Sequence, residues 1–224
     1  MIPRPYLIVL IVLQLAMFGV SAGFYPALPD TVPTHWNIRG QIDDYGSKWL
    51  PLLLPPGLVL LTIGLMVGLP LLGPFRKNFD QFRDTYGRIC ITIMTGMLAL
   101  HIVILLASSG HNLRVGAAIS VVLGVMFAAL GNWLGKVRRN FYLGIRTPWT
   151  LANDAVWERT HRLGGKLFVV VGVATVLAGA LAPADWICFV VLMGGLGVIT
   201  VWLVLYSLYW YRRLGQVDDL SPRT

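Results

Sequence analysis

Three sets of residues have types and spacing that could do chemistry. His35, Asp43 and Asp44 lie in the polar interval between Pro26 and Trp49. Imidazole nitrogen and carboxylate oxygen are what zinc takes, but their spacing matches no defined metal motif. The favoured reading is a folded loop in which His35 hydrogen-bonds locally. In the second polar interval, Trp149, Asn153, Trp157 and His161 fall four apart. On a helix they would form one stripe of rings and hydrogen-bonding groups, serving either as interfacial anchors or as a partner-binding face. Asp154, Glu158 and His161 make a neighbouring stripe at i, i+4 and i+7. Glu-x-x-His alone is a weak signal: no His-Glu-x-x-His, Ser/His/Asp or Gly-rich phosphate motif accompanies it. Salt bridges along a solvated helix face explain those carboxylates better. The third set is His101, an ionisable residue inside an apolar run. Such a residue is a functional candidate by default, yet no span supplies a carboxylate to relay its proton, so an interhelical hydrogen bond is favoured. These residues imply no catalytic group, no metal and no cofactor.

The elements that must position them are membrane spans. Of 224 residues, 56% are apolar and only 12% charged, about half the charge of a soluble domain. The apolar residues come in runs near the roughly 20 residues needed to cross a bilayer. The expected fold class is an all-α integral membrane protein with six transmembrane helices. These cover about 6–24, 50–72, 89–107, 115–134, 167–182 and 186–209. The first run also resembles a secretory signal ending at Val20-Ser21-Ala22. Retention is favoured, because removal would leave an odd number of spans. The net charge of +8 invites a nucleic-acid reading. Basic loops in a membrane protein are first explained by orientation and lipid contact, so no direct nucleic-acid partner is expected.

Orientation follows from Lys/Arg counting. The N-terminus, the loop after span two, the central stretch through Lys166 and the C-terminal tail together hold fifteen of the eighteen basic residues. The other side holds Arg39, Lys48 and Arg114. By the positive-inside rule both termini are cytoplasmic, the polar loop 26–49 is extracytoplasmic, and 135–165 is a long cytoplasmic loop with a short helix. Cys90 and Cys188 then lie near opposite faces and should be unpaired. The expected domains are a two-span unit over 1–73, a linker over 74–88 and a four-span unit over 89–224.

Several local expectations complete the reading. Pro51, Pro55 and Pro56 suit the first turn of span two, which Pro70 and Pro74 close. Phe75, Phe79, Phe82 and Tyr86 recur at helical spacing, as in a short helix lying on the membrane with its aromatic side inward. Gly116, Ser120, Gly124 and Ala128 sit four apart, with Asn132 continuing the row, and Ala174, Ala178 and Ala182 form a second row. Both suit close helix packing. In the outer loop, Asp30–Pro33 and Asn37–Gly40 look like turns, Gly40 being free to take positive φ. In the central stretch, Thr147 can cap a helix with Pro148 at its first position, or Thr150 one register later. That helix would run to Leu163 and stop at Gly164-Gly165.

Two resemblances add to this. Leu28, Pro29, Asp30, Pro33, His35, Trp36, Asn37, Gly40 and Asp43 occupy the positions of a small bacterial membrane domain of unknown function, with the pattern LPD-x-(I/V)-P-x-HWN-x-x-G-x-x-D. Further on, Gly131-Asn132, Asn140-Phe141, Gly144 to Leu151, Asn153, Trp157, Thr160-His161-Arg162 and Gly165 resemble the SdpI family. That family includes the immunity protein against the sporulation-delaying peptide toxin. The resemblance implies a bacterial plasma-membrane protein that is not an enzyme. It would protect against a secreted membrane-active peptide, and would do so by binding the toxin and holding a cytoplasmic winged-helix repressor at the membrane. Carried over, His35, Trp36, Asn37, Gly40 and Asp43 would form an outer binding loop. Asn132, Asn140, Gly144, Arg146, Thr147, Pro148, Trp149, Asn153, Trp157, His161 and Arg162 would form a partner-binding or signalling surface. The partners are membrane lipids, the toxin and the repressor. The alternative is a small lipid or peptide transporter with His101 and Asn132 lining a path. A membrane metalloenzyme using His35/Asp43 or Glu158/His161 comes third.

Overall fold

A computed structural model gives residues 2–72 and 76–220, with side chains for 2–72 and 78–214. The chain runs α1 (Arg4–Phe24), a 3₁₀ turn (Tyr25–Ala27), β1 (Thr31–Trp36), β2 (Ile42–Ser47), α2 (Trp49–Leu72) and α3 (Arg76–Ser108). There follow α4 (Val115–Leu134), α5 (Pro148–Ala152), α6 (Asp154–Leu181) and α7 (Asp185–Leu220). All but α5 of these helices are long and apolar enough to cross a membrane, six among the described residues. The all-α expectation misses the loop 26–49, where β1 and β2 pair antiparallel. Asp30–Pro33 does not turn there. Val32 is fully buried against Leu28, Leu52 and Leu105, which holds the segment extended over the bundle end. Asn37–Gly40 does turn. The Asn37 Oδ1 accepts the Arg39 and Gln41 amides at 2.9 and 3.1 Å, and Gly40 takes φ 77°.

Proline positions in α2 explain how its neighbours dock. Pro55, Pro56 and Pro70 lie inside the helix rather than at its ends; Pro74 lies outside the described residues. A proline has no amide to offer the carbonyl four residues earlier, so Pro56 frees Leu52 and Pro70 frees Met66. The Ser21 hydroxyl of α1 donates to the Leu52 carbonyl at 2.8 Å, and the Tyr86 hydroxyl of α3 donates to the Met66 carbonyl at 2.8 Å. Because the Ser21 proton is spent on Leu52, the 2.9 Å contact with His101 Nε2 has the imidazole donating. His101 is thus the interhelical hydrogen-bonding residue expected. Tyr86→Phe should cost about 1–3 kcal/mol by orphaning a part-buried carbonyl. Thr62→Val, which removes an exposed bond to Leu58, should be near neutral. Thermal midpoints in detergent check both.

The aromatic surface helix is also corrected. Arg76 to Ser108 is one helix kinked at Phe82 (φ −133°, ψ 16°). Phe79, Phe82 and Tyr86 are buried in the protein core and pack edge-on with one another, and Tyr86 also meets Tyr142 edge-on. Their periodicity reflects packing on protein, not on lipid. Burial pushes the Tyr142 phenol well above the ordinary tyrosine range. Phe75 lies outside the described residues.

The centre of the bundle is the antiparallel pair α4–α6. A Cβ on Gly131 would meet the Gly165 carbonyl at 2.5 Å, one on Gly124 the Gly172 carbonyl at 2.6 Å, and one on Gly179 the Ala117 carbonyl at 2.8 Å. The two backbones therefore touch at residues seven apart on each helix, the 3.5-residue period of a left-handed crossing. This replaces the expected rows in part: Gly124 and Ala128 do face α6, but Gly116 and Ser120 do not lead the seam. It also explains why the helix does not stop at Gly164-Gly165. Those glycines permit close approach rather than a left-handed cap, and α6 continues to Leu181. Cys90 and Cys188 are both free and buried.

Candidate functional site

At one end of the bundle the chain from Gly135 to Asn153 forms a tightly bonded frame. Asn140 is fully buried. Its Oδ1 accepts the Tyr142 and Leu143 amides at 3.0 and 2.7 Å, and its Nδ2 donates to the Arg138 carbonyl at 2.8 Å. Gly144, at φ 112°, lies against the His161 ring: a Cβ there would sit 2.3 Å from Nε2. Both imidazole nitrogens are engaged. Nε2 accepts the Ile145 amide at 2.9 Å, and Nδ1–H donates to the Trp157 carbonyl at 2.9 Å. His161 is therefore the neutral Nδ1–H tautomer. Its ring stacks on Trp157 at 3.9 Å, and the Trp157 indole N–H donates to the Val137 carbonyl at 2.7 Å.

Thr147 caps α5 in a reciprocal box with Thr150, with Pro148 at the first helical position, as one of the two expected registers had it. The Thr147 hydroxyl also meets Ser207 of α7 at 3.1 Å. The chain then breaks helix at Asn153 (φ −142°, ψ 126°), whose side chain caps α6. This break corrects the four-residue stripe. Trp149 belongs to α5, Asn153 is a cap, and only Trp157 and His161 share a helix, where both are buried. The neighbouring carboxylates do not converge on His161 either. Asp154 pairs with Arg139 at 2.8 Å and Glu158 with Arg162 at 2.7 Å. Exposed at this end are Pro148, Arg138, Arg146 and Arg162. Asn132 is exposed and bonds its own helix at Ala128. His101 is instead buried against α1.

The opposite end holds an open crevice of about 530 Å³ between the hairpin, α4 and α7. His35, Trp36, Asn37 and Ile38 line it from the hairpin, Gly116, Ile119, Ser120 and Leu123 from α4, and Asp185, Phe189, Leu192 and Met193 from α7. His35 Nδ1 meets Asp43 Oδ1 at 2.6 Å, the local bond expected. Asp44 instead accepts the amide of Tyr45 at 2.8 Å. Among the described residues no group of three His, Cys, Asp or Glu gathers for a metal. Lys48 closes the hairpin base on Asp30 at 2.9 Å, and the hydrogen bond to Asp30 holds its ammonium above the ordinary lysine range.

Asp185 organises the floor. Its Oδ1 receives Arg114 Nε and Nη2 at 3.1 and 2.9 Å, and its Oδ2 receives the Gly116 amide at 3.0 Å. Arg114 Nη1 also donates to the Ala182 carbonyl at 2.9 Å. The hairpin turn sits directly on this carboxylate, for a Cβ on Gly40 would meet Asp185 Oδ2 at 2.5 Å. Sequence reasoning missed Asp185. Its signal was a lone acid at the mouth of span six and a lone arginine at the mouth of span four, 71 residues apart.

Comparison with known proteins matches two segments of the chain. Residues 136–207 match the SdpI/YfhL protein family, and residues 12–60 match a domain of unknown function, DUF1648. Most of the central stretch falls inside the segment that matches the SdpI/YfhL family. Over 168 residues the chain is 24% identical to the protein named Immunity protein SdpI of Bacillus subtilis (strain 168), spanning 74% of this chain and 77% of that one. No solved structure matches. With its six apolar helices, this SdpI relative is a multi-pass protein of the bacterial plasma membrane. The crevice is lined by both matched segments: its hairpin wall lies in the DUF1648 part and its α7 wall in the SdpI part.

Proposed function

We propose that this protein confers immunity to a secreted, membrane-active peptide, which it takes into the crevice between the hairpin and α4/α7. The observation that carries this reading is the character of the walls. Phe189 and Met193 are 48% and 44% exposed on the flank of the bundle, while the hairpin presents polar groups above them. A peptide that partitions into membrane offers a matching amphipathic surface, apolar below and polar at the water boundary. With the hairpin outside, as the positive-inside rule favours, it stands where a secreted peptide arrives.

Binding there would act on the other end through rigid elements. α4 and α6 are in backbone contact from Ala117/Gly179 to Gly131/Gly165, and α7 reaches the Thr147 cap through Ser207. The peptide selects one arrangement of these helices. The frame at 135–153, with Arg146 and Pro148 exposed on it, presents the result to a winged-helix repressor.

The test is survival of a Bacillus subtilis strain lacking its own immunity protein, expressing this chain and challenged with the sporulation-delaying peptide. The chain should restore growth. Phe189→Ala with Met193→Ala should abolish protection at unchanged membrane abundance, because both side chains are half-exposed and carry little of the fold. Full protection by the double variant would sink the crevice as the receiving site.

A further inference from the structure

Beside the frame, and distinct from the crevice, the end of α7 carries a second mixed groove of about 460 Å³, lined by Leu205, Leu208, Tyr209, Arg212 and Arg213. We propose that it binds the phosphodiester headgroup of an anionic phospholipid. Arg212 and Arg213 are exposed, and no carboxylate among the described side chains, which end at residue 214, pairs with either. Arg213 is oriented rather than loose: its Nη1 donates to the Tyr209 hydroxyl at 2.7 Å and its guanidinium lies 5.6 Å from the Trp210 ring centre. A third guanidinium, Arg159 of α6, stacks on Trp210 at 3.8 Å. The Trp210 indole N–H is buried with no acceptor among the described residues.

Guanidinium forks fit phosphate oxygens in pairs, so the polar half of the groove suits a phosphate. The other half decides what carries it. Leu205 is 56% exposed inside the apolar span and forms one continuous wall with the arginines. Tyr209 sits between them, as an interfacial aromatic does. A headgroup with acyl chains fills both halves. Free phosphate fills only one, and a soluble protein cannot reach Leu205 through the hydrocarbon.

The experiment titrates the full chain in neutral detergent with brominated-chain phosphatidylglycerol and reads tryptophan quenching, with Trp210→Phe identifying the signal of this site. Brominated phosphatidylcholine and inorganic phosphate are the comparison arms. Phosphatidylglycerol should quench saturably and far below the concentration phosphatidylcholine needs, and inorganic phosphate should not displace it. Each arginine at a membrane surface contributes about one kilocalorie of attraction, so R212Q with R213Q should weaken binding about 30-fold. R138Q, at an exposed arginine of the same end, should not. Displacement by inorganic phosphate would reassign the site to a free anion. An equal shift in R138Q would show diffuse charge rather than a site. Unchanged affinity in the double variant, or quenching untouched by Trp210→Phe, would overturn the proposal.

Discussion

Trp157→Ala is expected to destabilise the protein by about 3–5 kcal/mol, the cost of emptying a large buried aromatic site. The ring is 2% exposed, its N–H is committed to the Val137 carbonyl, and it covers one face of His161. Removing it leaves a buried carbonyl unpaired and unseats the imidazole that holds the Ile145 amide. Any loss of protection in this variant should therefore come with a lower thermal midpoint. His161→Ala should behave in the same way but more mildly. Denaturation in detergent, followed by tryptophan fluorescence, reads both. A Trp157→Ala protein with a wild-type midpoint but no protection would instead restore Trp157 to a partner-binding surface.

Gly172→Leu should be as damaging for a different reason. Its Cβ would lie 2.5 Å from the Gly124 carbonyl and from the Ala128 amide nitrogen, so the obstacle is backbone and cannot rotate away. Overpacking a core costs about 1–3 kcal/mol when side chains can yield. With a backbone opposite, the α4–α6 seam must open along its length, and we expect about 3 kcal/mol or more. Gly57→Leu and Gly194→Leu, at glycines with open space around them, should leave the midpoint almost unmoved. Comparable losses in all three would mean that the seam is not what holds the bundle.

The spans were legible because apolar length is a property of the local sequence. What could not be read was which neighbour each residue meets. Gly164-Gly165 carries the same letters whether it ends a helix or lets another backbone approach, and only the opposing Gly131 decides. The period of Phe79, Phe82 and Tyr86 is identical for a face on lipid and a face on protein, and Tyr142, far along the chain, makes it the latter. The four-residue spacing from Trp149 to His161 promised one stripe. Asn153 instead spends its side chain capping α6 and breaks the helix between them. In the loop 26–49, prolines and glycines hid two strands that exist because Val32 is drawn into the core. His35 and the Asn37–Gly40 turn, whose bonds are local, were read correctly. Asp185 was not, since its partners Arg114, Gly116 and Gly40 are all remote in sequence.

The account rests on the crevice between the hairpin and α4/α7 as the place where the peptide is received. A photo-crosslinking amino acid placed at Met193, on the crevice rim, and separately at Arg138, at the opposite end of the bundle, tests this in intact cells given the sporulation-delaying peptide from outside. The account predicts a crosslinked peptide at position 193 and none at 138, in variants that both still protect. Protection with crosslinking at 138, or with none at 193, would contradict it.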